Sequence, residues 1–216
     1  TDYVRQTYGL ACSVLANNPN TNISIITNDN VPEKFKKVFD KIIEIPWGDL
    51  AKQKWKIENR WKVYHCTPYR NTMVFDADML ILDDINWDYH YHNNLAFTTN
   101  VTTFRQEIIT NRYYRKTFDA NELPDIYTAM YYFKKHPEVK AYFILLESIV
   151  NNWQYFYKKY ANNKMQNWCS IDVSSAIACK ILGSQYYSTN DQLTFTHLKP
   201  YVQNFCKVPS NIFDEC

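Results

Sequence analysis

The sequence predicts an α/β fold: a mixed, mostly parallel sheet flanked by helices in a single domain spanning residues 1–216. Three observations predict it. Stretches with apolar residues at helical spacing alternate with short apolar runs, the pattern of strands linked through helices. Two of those runs, "IITND" and "MVFDAD", end in acidic residues, and ligands of such sheets gather outside the carboxyl ends of the strands. The chain also shows no repeat or low-complexity linker that would divide it.

In order, "DYVRQTYGLACSVLANN" places Val4, Tyr8, Ala11, Val14 and Leu15 on one helical face and stops at Asn-Asn-Pro. "NISIITND" is a short strand, "VPEKFKKVF" a short helix and "KIIEIPW" the next strand. "DLAKQKWKIENRWKVYHC" is expected to be a helix that stops before Thr67-Pro68. "NTMVFDADMLIL" and "NLAFTTN" are expected strands, and 101–124 a long loop or short helices. A strand "DIYTAMYYF" then leads to a helix from about Pro137 to Tyr160. "IDVSSAIACKILG" is a helix ending at Gly183, and "LTFTHLKPYVQNF" holds a short strand and a turn.

Composition excludes several functions. The chain has only three glycines, too few for a P-loop or a dinucleotide fingerprint, whose backbone N–H groups must wrap phosphate. Any bound phosphate must be met by metal and cationic side chains. A net charge of +2 gives no steer towards nucleic acid, although "RYYRK" and "YKKY" alternate cations with rings; the bland alternative is solvated helix faces. No apolar run reaches membrane-spanning length. The six cysteines form no CxxC pair, which suits scattered thiols in a reducing compartment. With no secretory leader in view, the expected setting is cytoplasmic.

The chemistry is concentrated at Asp76 and Asp78. In a strand, residues i and i+2 share a face, so the two carboxylates are expected to project together. Such a pair repels unless neutralised, and a divalent cation with oxygen ligands does that. The alternative is a solvated turn. Asp83 and Asp84, which follow, suit a loop.

"RNTMVFDADMLILDDI" resembles the DxD region of GT-A glycosyltransferases, especially glycogenin-like family 8 enzymes and their viral and bacterial relatives. The likeness extends along nearly the whole chain, including "YVRQTYGLACSVLANNPNTNISIITND". It implies a Rossmann-like sheet, a nucleotide diphosphate sugar donor with UDP favoured, and Mn²⁺ or Mg²⁺. It also implies a first strand and base-binding loop ahead of Tyr3, so the expectation is either a sequence clipped just after them or a member that lacks part of the base site. By this resemblance Asp76 and Asp78 ligate metal and donor, and Arg60 supplies a cation near the diphosphate. Asp172 in "SIDVSSAIA" matches a motif aspartate near the reacting carbon, with Val173 replacing the usual polar neighbour. In "FTHLKPY", His197 matches a metal ligand and Lys199 a phosphate-binding lysine, though only Leu198 separates them where the family spaces them further apart. Tyr3 matches a ring that stacks on the base.

Each assignment has a plainer competitor. Arg60 suits a solvated helix face, Asp172 an N-cap, and His197 a structural role. The expected function is metal-dependent transfer of a sugar to a hydroxyl of a glycan, protein or small-molecule acceptor. The alternative is a non-catalytic glycan- or nucleotide-binding module of the same fold, for which the aromatic stretch from "YHYHNN" to "NRYYRK" would offer stacking surfaces.

Overall fold

A computed structural model describes residues 3–46, 56–85, 92–99, 116–161 and 168–190. Helix α1 (Tyr3–Asn17) leads into strand β1 (Ser24–Ile26), a single turn α2 (Glu33–Lys36) and strand β2 (Lys41–Ile43). A 3₁₀ segment over Lys56–Lys62 runs on as α3 (Val63–Cys66), and strand β3 (Asn71–Phe75) follows. Strand β4 (Leu95–Thr98), helix α4 (Lys116–Ala120) and strand β5 (Tyr127–Lys134) precede helices α5 (Pro137–Asn151), α6 (Trp153–Tyr160) and α7 (Ile171–Leu182). A 3₁₀ turn (Ser184–Tyr186) and strand β6 (Ser188–Asn190) complete the described chain.

The α/β class holds, and the mostly parallel sheet needs correction. Strands β1 and β2 pair in parallel as a two-stranded sheet. The four-stranded sheet has the order β3-β5-β4-β6. There β5 runs antiparallel to both β3 and β4, and only β4/β6 is parallel. Apolar content marks a strand as buried but carries no strand direction, so the reversed β5 was invisible in "DIYTAMYYF". From Tyr127 to Phe133 every residue of β5 is buried, a pattern more often met in parallel strands covered on both faces.

Helix α7 packs against β5, and α5 against α7. Phe143 on α5 meets Phe133 edge-on at 5.0 Å and Tyr64 face-on at 5.1 Å, within the range of favourable ring pairs. The single helix expected over Pro137–Tyr160 is two, broken at Asn152, which adopts φ −126° and ψ 32°. Helix α5 starts as its sequence suggests, with Pro137 in the first turn and the His136 ring accepting from the Glu138 N–H. Helix α7 stops at Gly183, whose φ of 99° is open to glycine and strained for other residues.

A smaller cluster of Val4, Ala11, Ile25, Val31 and Phe39 joins α1 to β1. Ser24 and Tyr69 hydroxyls meet at 2.6 Å, linking β1 to the approach of β3. The chain beyond β3 is tied to α1: Ile81 N–H donates to Ser13 Oγ at 2.9 Å, and Asn17 Nδ2 donates to Ile81 O at 2.8 Å. Among the described residues no helix is long and apolar enough to cross a membrane, and Cys12, Cys66, Cys169 and Cys179 are free thiols.

Candidate active site

Strand β3 ends at Phe75, one residue short of the acidic pair. Asp76 keeps one rung of the ladder, its N–H donating to Ala129 O at 2.8 Å, and the chain then turns at Ala77 and Asp78. The same-face argument for Asp76 and Asp78 therefore fails, because it needs both residues in a strand. Asp76 is half-buried and Asp78 exposed. Nor does a strand resume at Met79: Leu80 and Leu82 are 55% and 82% exposed.

Arg60 forms an ion pair with Asp76 Oδ1, the two side chains being 28% and 29% exposed. A second guanidinium nitrogen donates to Thr128 O at 3.2 Å. The 3₁₀ geometry of Lys56–Lys62, rather than the regular helix expected, presents Arg60 to the sheet end. Arg60 does not sit on a solvated face. Beneath it, burial pushes the Tyr131 hydroxyl far up, with the Arg60 charge acting in the opposite direction.

Thr128, near the start of β5 and 2% exposed, faces the other way with its remaining groups. Its N–H donates to Asp172 Oδ1 at 2.9 Å, and its hydroxyl donates to the same oxygen. Asp172 is not the N-cap of α7; Ser170 holds that position. Asp172 sits in the first turn, where a carboxylate is favoured by the helix dipole, and its side chain turns to β5. The start of α7 is fixed from below: Tyr157 OH donates to Ser170 O at 2.9 Å and accepts from Ser170 N–H at 2.8 Å.

The result is a continuous line, Asp76–Arg60–Thr128–Asp172, along one end of the sheet. It joins three residues singled out in the sequence, Arg60, Asp76 and Asp172, through one that was not. Thr128 carried a weak signal, the one aliphatic hydroxyl in the apolar strand "YTAMYYF". Tyr3 is 51% exposed at the start of α1, and no hydrogen bond, ion pair or ring contact found among the described residues links it to Asp76. His197 and Lys199 lie outside the described residues.

Among the described residues no three His, Cys, Asp or Glu side chains form a metal cage. The donor set fits a different arrangement. Asp76 commits Oδ1 to Arg60, leaving Oδ2 and the exposed Asp78 carboxylate. Ions such as Mg²⁺ are usually held by one or two carboxylates plus substrate phosphates and waters. The positive charge of Arg60 repels a lone dication, so a cation here would need an anionic ligand beside it. Neither the family models nor the curated proteins compared with this chain gave a match.

Proposed function

We propose that this sheet end binds a nucleotide diphosphate sugar, UDP-linked by preference, with Mn²⁺ or Mg²⁺, and passes the sugar to an acceptor hydroxyl. The observation that carries the reading is Arg60: a single guanidinium spans Asp76 and the backbone of Thr128, whose other groups hold Asp172. A cation between Asp76, the candidate metal ligand, and Asp172, the candidate carboxylate for the reacting carbon, supports the reading. The bound metal would offset the charge that builds on the departing diphosphate. Arg60 adds a fixed positive charge beside it, in a half-buried place where such charge acts more strongly than in water.

In the transfer, the bond from the anomeric carbon to the phosphate oxygen breaks and one to the acceptor oxygen forms. The acceptor proton leaves to a base, which is either a carboxylate or the departing phosphate. Asp172 suits either course, because Thr128 occupies Oδ1 and fixes the direction in which the rest of the carboxylate points. Asp78, exposed and without a hydrogen bond or ion pair among the described residues, is available to a ligand from solvent.

Thermal-shift titrations with UDP, GDP and CMP, each with and without Mn²⁺, test the reading. A ligand bound only by the native state stabilises it by about 2.7 kcal/mol at a hundred times its Kd. The expected result is a metal-dependent shift with one nucleotide, UDP first, that disappears in Asp78→Ala. Replacing Arg60 by Met is expected to cut transfer by about a hundredfold, the usual cost of removing one fixed donor to developing charge. A shift with sugars alone, indifferent to metal and nucleotide, would overturn this reading in favour of a glycan-binding module.

A further inference from the structure

Both members of the Arg60–Asp76 ion pair stand on fixed backbone. Trp61, next along the chain, is buried in the large core. Lys62 is 6% exposed, and its Nζ donates to Pro46 O at 3.0 Å. Asp76 is held by its own N–H on Ala129 O. A change of partner at either residue therefore belongs to the side chain alone. The Arg60 fork bridges two acceptors of unequal charge, the Asp76 carboxylate and the neutral carbonyl of Thr128. Asp78, beyond the turn, is exposed.

This pairing opposes a lone divalent cation in two ways. The guanidinium is a like charge beside the carboxylates that would hold the ion. To give Asp76 Oδ1 to a metal, Arg60 must also let go, and a half-buried charge that loses its partner is costly. An anionic ligand reverses both effects. A guanidinium grips phosphate with the same two-pronged geometry that it uses on a carboxylate. Its fork also carries N–H groups beyond those used on Asp76 and Thr128. With phosphate on the fork, Arg60 keeps a counter-charge while Asp76 is released, and the local charge turns in favour of a dication. The Thr128 carbonyl is a second anchor that does not depend on Asp76, so the guanidinium stays at the sheet end through the exchange.

We propose that Arg60 is a gate on Asp76: it excludes a divalent cation that arrives alone and yields the carboxylate when a diphosphate takes the guanidinium. The opening step rests on the proposed donor site; the exclusion of a lone cation does not. Mn²⁺ binding, followed by the EPR signal of the free ion, and UDP and inorganic pyrophosphate binding, followed by calorimetry, test it. The proteins compared are the wild type, Arg60→Gln, Arg60→Met and Arg60→Lys. Gln keeps a donor for Thr128 O and Met does not, so what the two share is the lost charge. Both neutral variants are expected to bind Mn²⁺ alone about tenfold more tightly than the wild type, within the usual range of coupling between two ligands. Both should bind UDP alone more weakly. General damage to the site would weaken both ligands, so the opposite signs mark a gate. Arg60→Lys, which keeps the charge, should hold lone Mn²⁺ at the wild-type level. The gain should vanish when Asp78→Ala is added to Arg60→Gln, which assigns the ion to the Asp76/Asp78 pair. Neutral variants that bind lone Mn²⁺ no more tightly, or that weaken both ligands together, would overturn the proposal. A wild type that binds UDP with Mn²⁺ while the variants gain nothing keeps the donor site and removes the gate. Variants that gain Mn²⁺ while neither UDP nor pyrophosphate binds keep the exclusion and remove the donor site.

Discussion

The two ends of the Asp76–Asp172 line are built differently. Asp172 rests on the large core, where β5, α5 and α7 bury Ile126, Phe133, Phe143, Ile149 and Ile177 completely, and its carboxylate is held by Thr128. Asp78 stands on a turn beyond the end of β3, ahead of a segment whose Leu80 and Leu82 face solvent. Hydrogen bonds through the Ser13, Asn17 and Asn18 side chains tie that segment to α1 and the residue after it. The Asp172 carboxylate is held by its neighbours within the chain, whereas the exposed Asp78 carboxylate is where the proposed metal and diphosphate would bring order. On the proposed function, the fold would hold rigid the group facing the reacting carbon and leave adaptable the group that takes up an ion.

The sharpest way to break the contrast is to cut into the large core. Phe143 is fully buried among Phe133, Tyr64 and Tyr142. Phe143→Ala is expected to cost about 3–5 kcal/mol in urea unfolding, the usual penalty for emptying a packed aromatic site. The equivalent cut in the smaller cluster, Ile25→Ala, should cost about 2 kcal/mol, at the low end for such truncations, because few side chains surround it. Equal costs would mean that the two halves are one cooperative core.

Alkaline pH bears on the large core most through its buried groups, although Tyr8 on α1 and Tyr69 beside β1 are raised too. Burial raises the Tyr131, Tyr142 and Tyr157 hydroxyls above their ordinary 10.0 and the Cys179 thiol above 9.0. All four belong to the large core. Once these groups ionise in the unfolded chain, that chain holds fewer protons than the native one, so stability falls as pH rises. The stabilisation is complete below pH 9.0 and should decline above it, first through Cys179 and then through the tyrosines. Urea midpoints measured across that window check the sign, and Tyr131→Phe should flatten the decline. A midpoint that rises with pH would contradict the burial of these groups.

How much of this was legible in the sequence depended on how local the deciding interaction was. Helix α1 stops where Asn-Asn-Pro said it would, and α7 ends at Gly183, because helix ends are set by neighbouring residues. The strand over Asn71–Phe75 was also foreseen, but its apolar continuation was not a strand: Met79–Leu82 follows α1 through side-chain anchors and has no ladder. The turn at Asp78, the reversed β5 and the break at Asn152 depend on which distant element lies alongside. For the site, position at a strand end marked Asp76, and the family resemblance marked Arg60 and Asp172, as candidates. Thr128, which joins them, looked like one more strand residue, since its role comes from α7 and the 3₁₀ segment arriving on either side.

Thr128 therefore provides a finer test of the rigid end. Thr128→Val removes the hydroxyl that donates to Asp172 while nearly preserving shape. It leaves the backbone N–H in place, so the expected cost is about 1.5–3 kcal/mol, the worth of one hydrogen bond to a charged group. Thr128→Ser retains the donor and should recover most of that loss. If Val and Ser behave alike in urea unfolding, the hydroxyl is not what holds Asp172.

The smallest effect belongs to the adaptable end. Leu82 is 82% exposed, and the chain there is held through the Ile81 backbone, which no side-chain change at position 82 touches. Leu82→Ser should alter stability by less than about 0.5 kcal/mol, as surface substitutions do. The same change should leave the UDP and Mn²⁺ thermal shift intact, because it removes neither a carboxylate nor a backbone anchor. Measuring both in one series separates two meanings of exposure. A silent variant makes Leu82 a bystander on a segment that ligand binding orders through Asp78 alone. A variant that keeps its stability but loses the shift would make the exposed leucine part of the closed, ligand-bound form, and the adaptable end would then extend from Asp78 through Leu82.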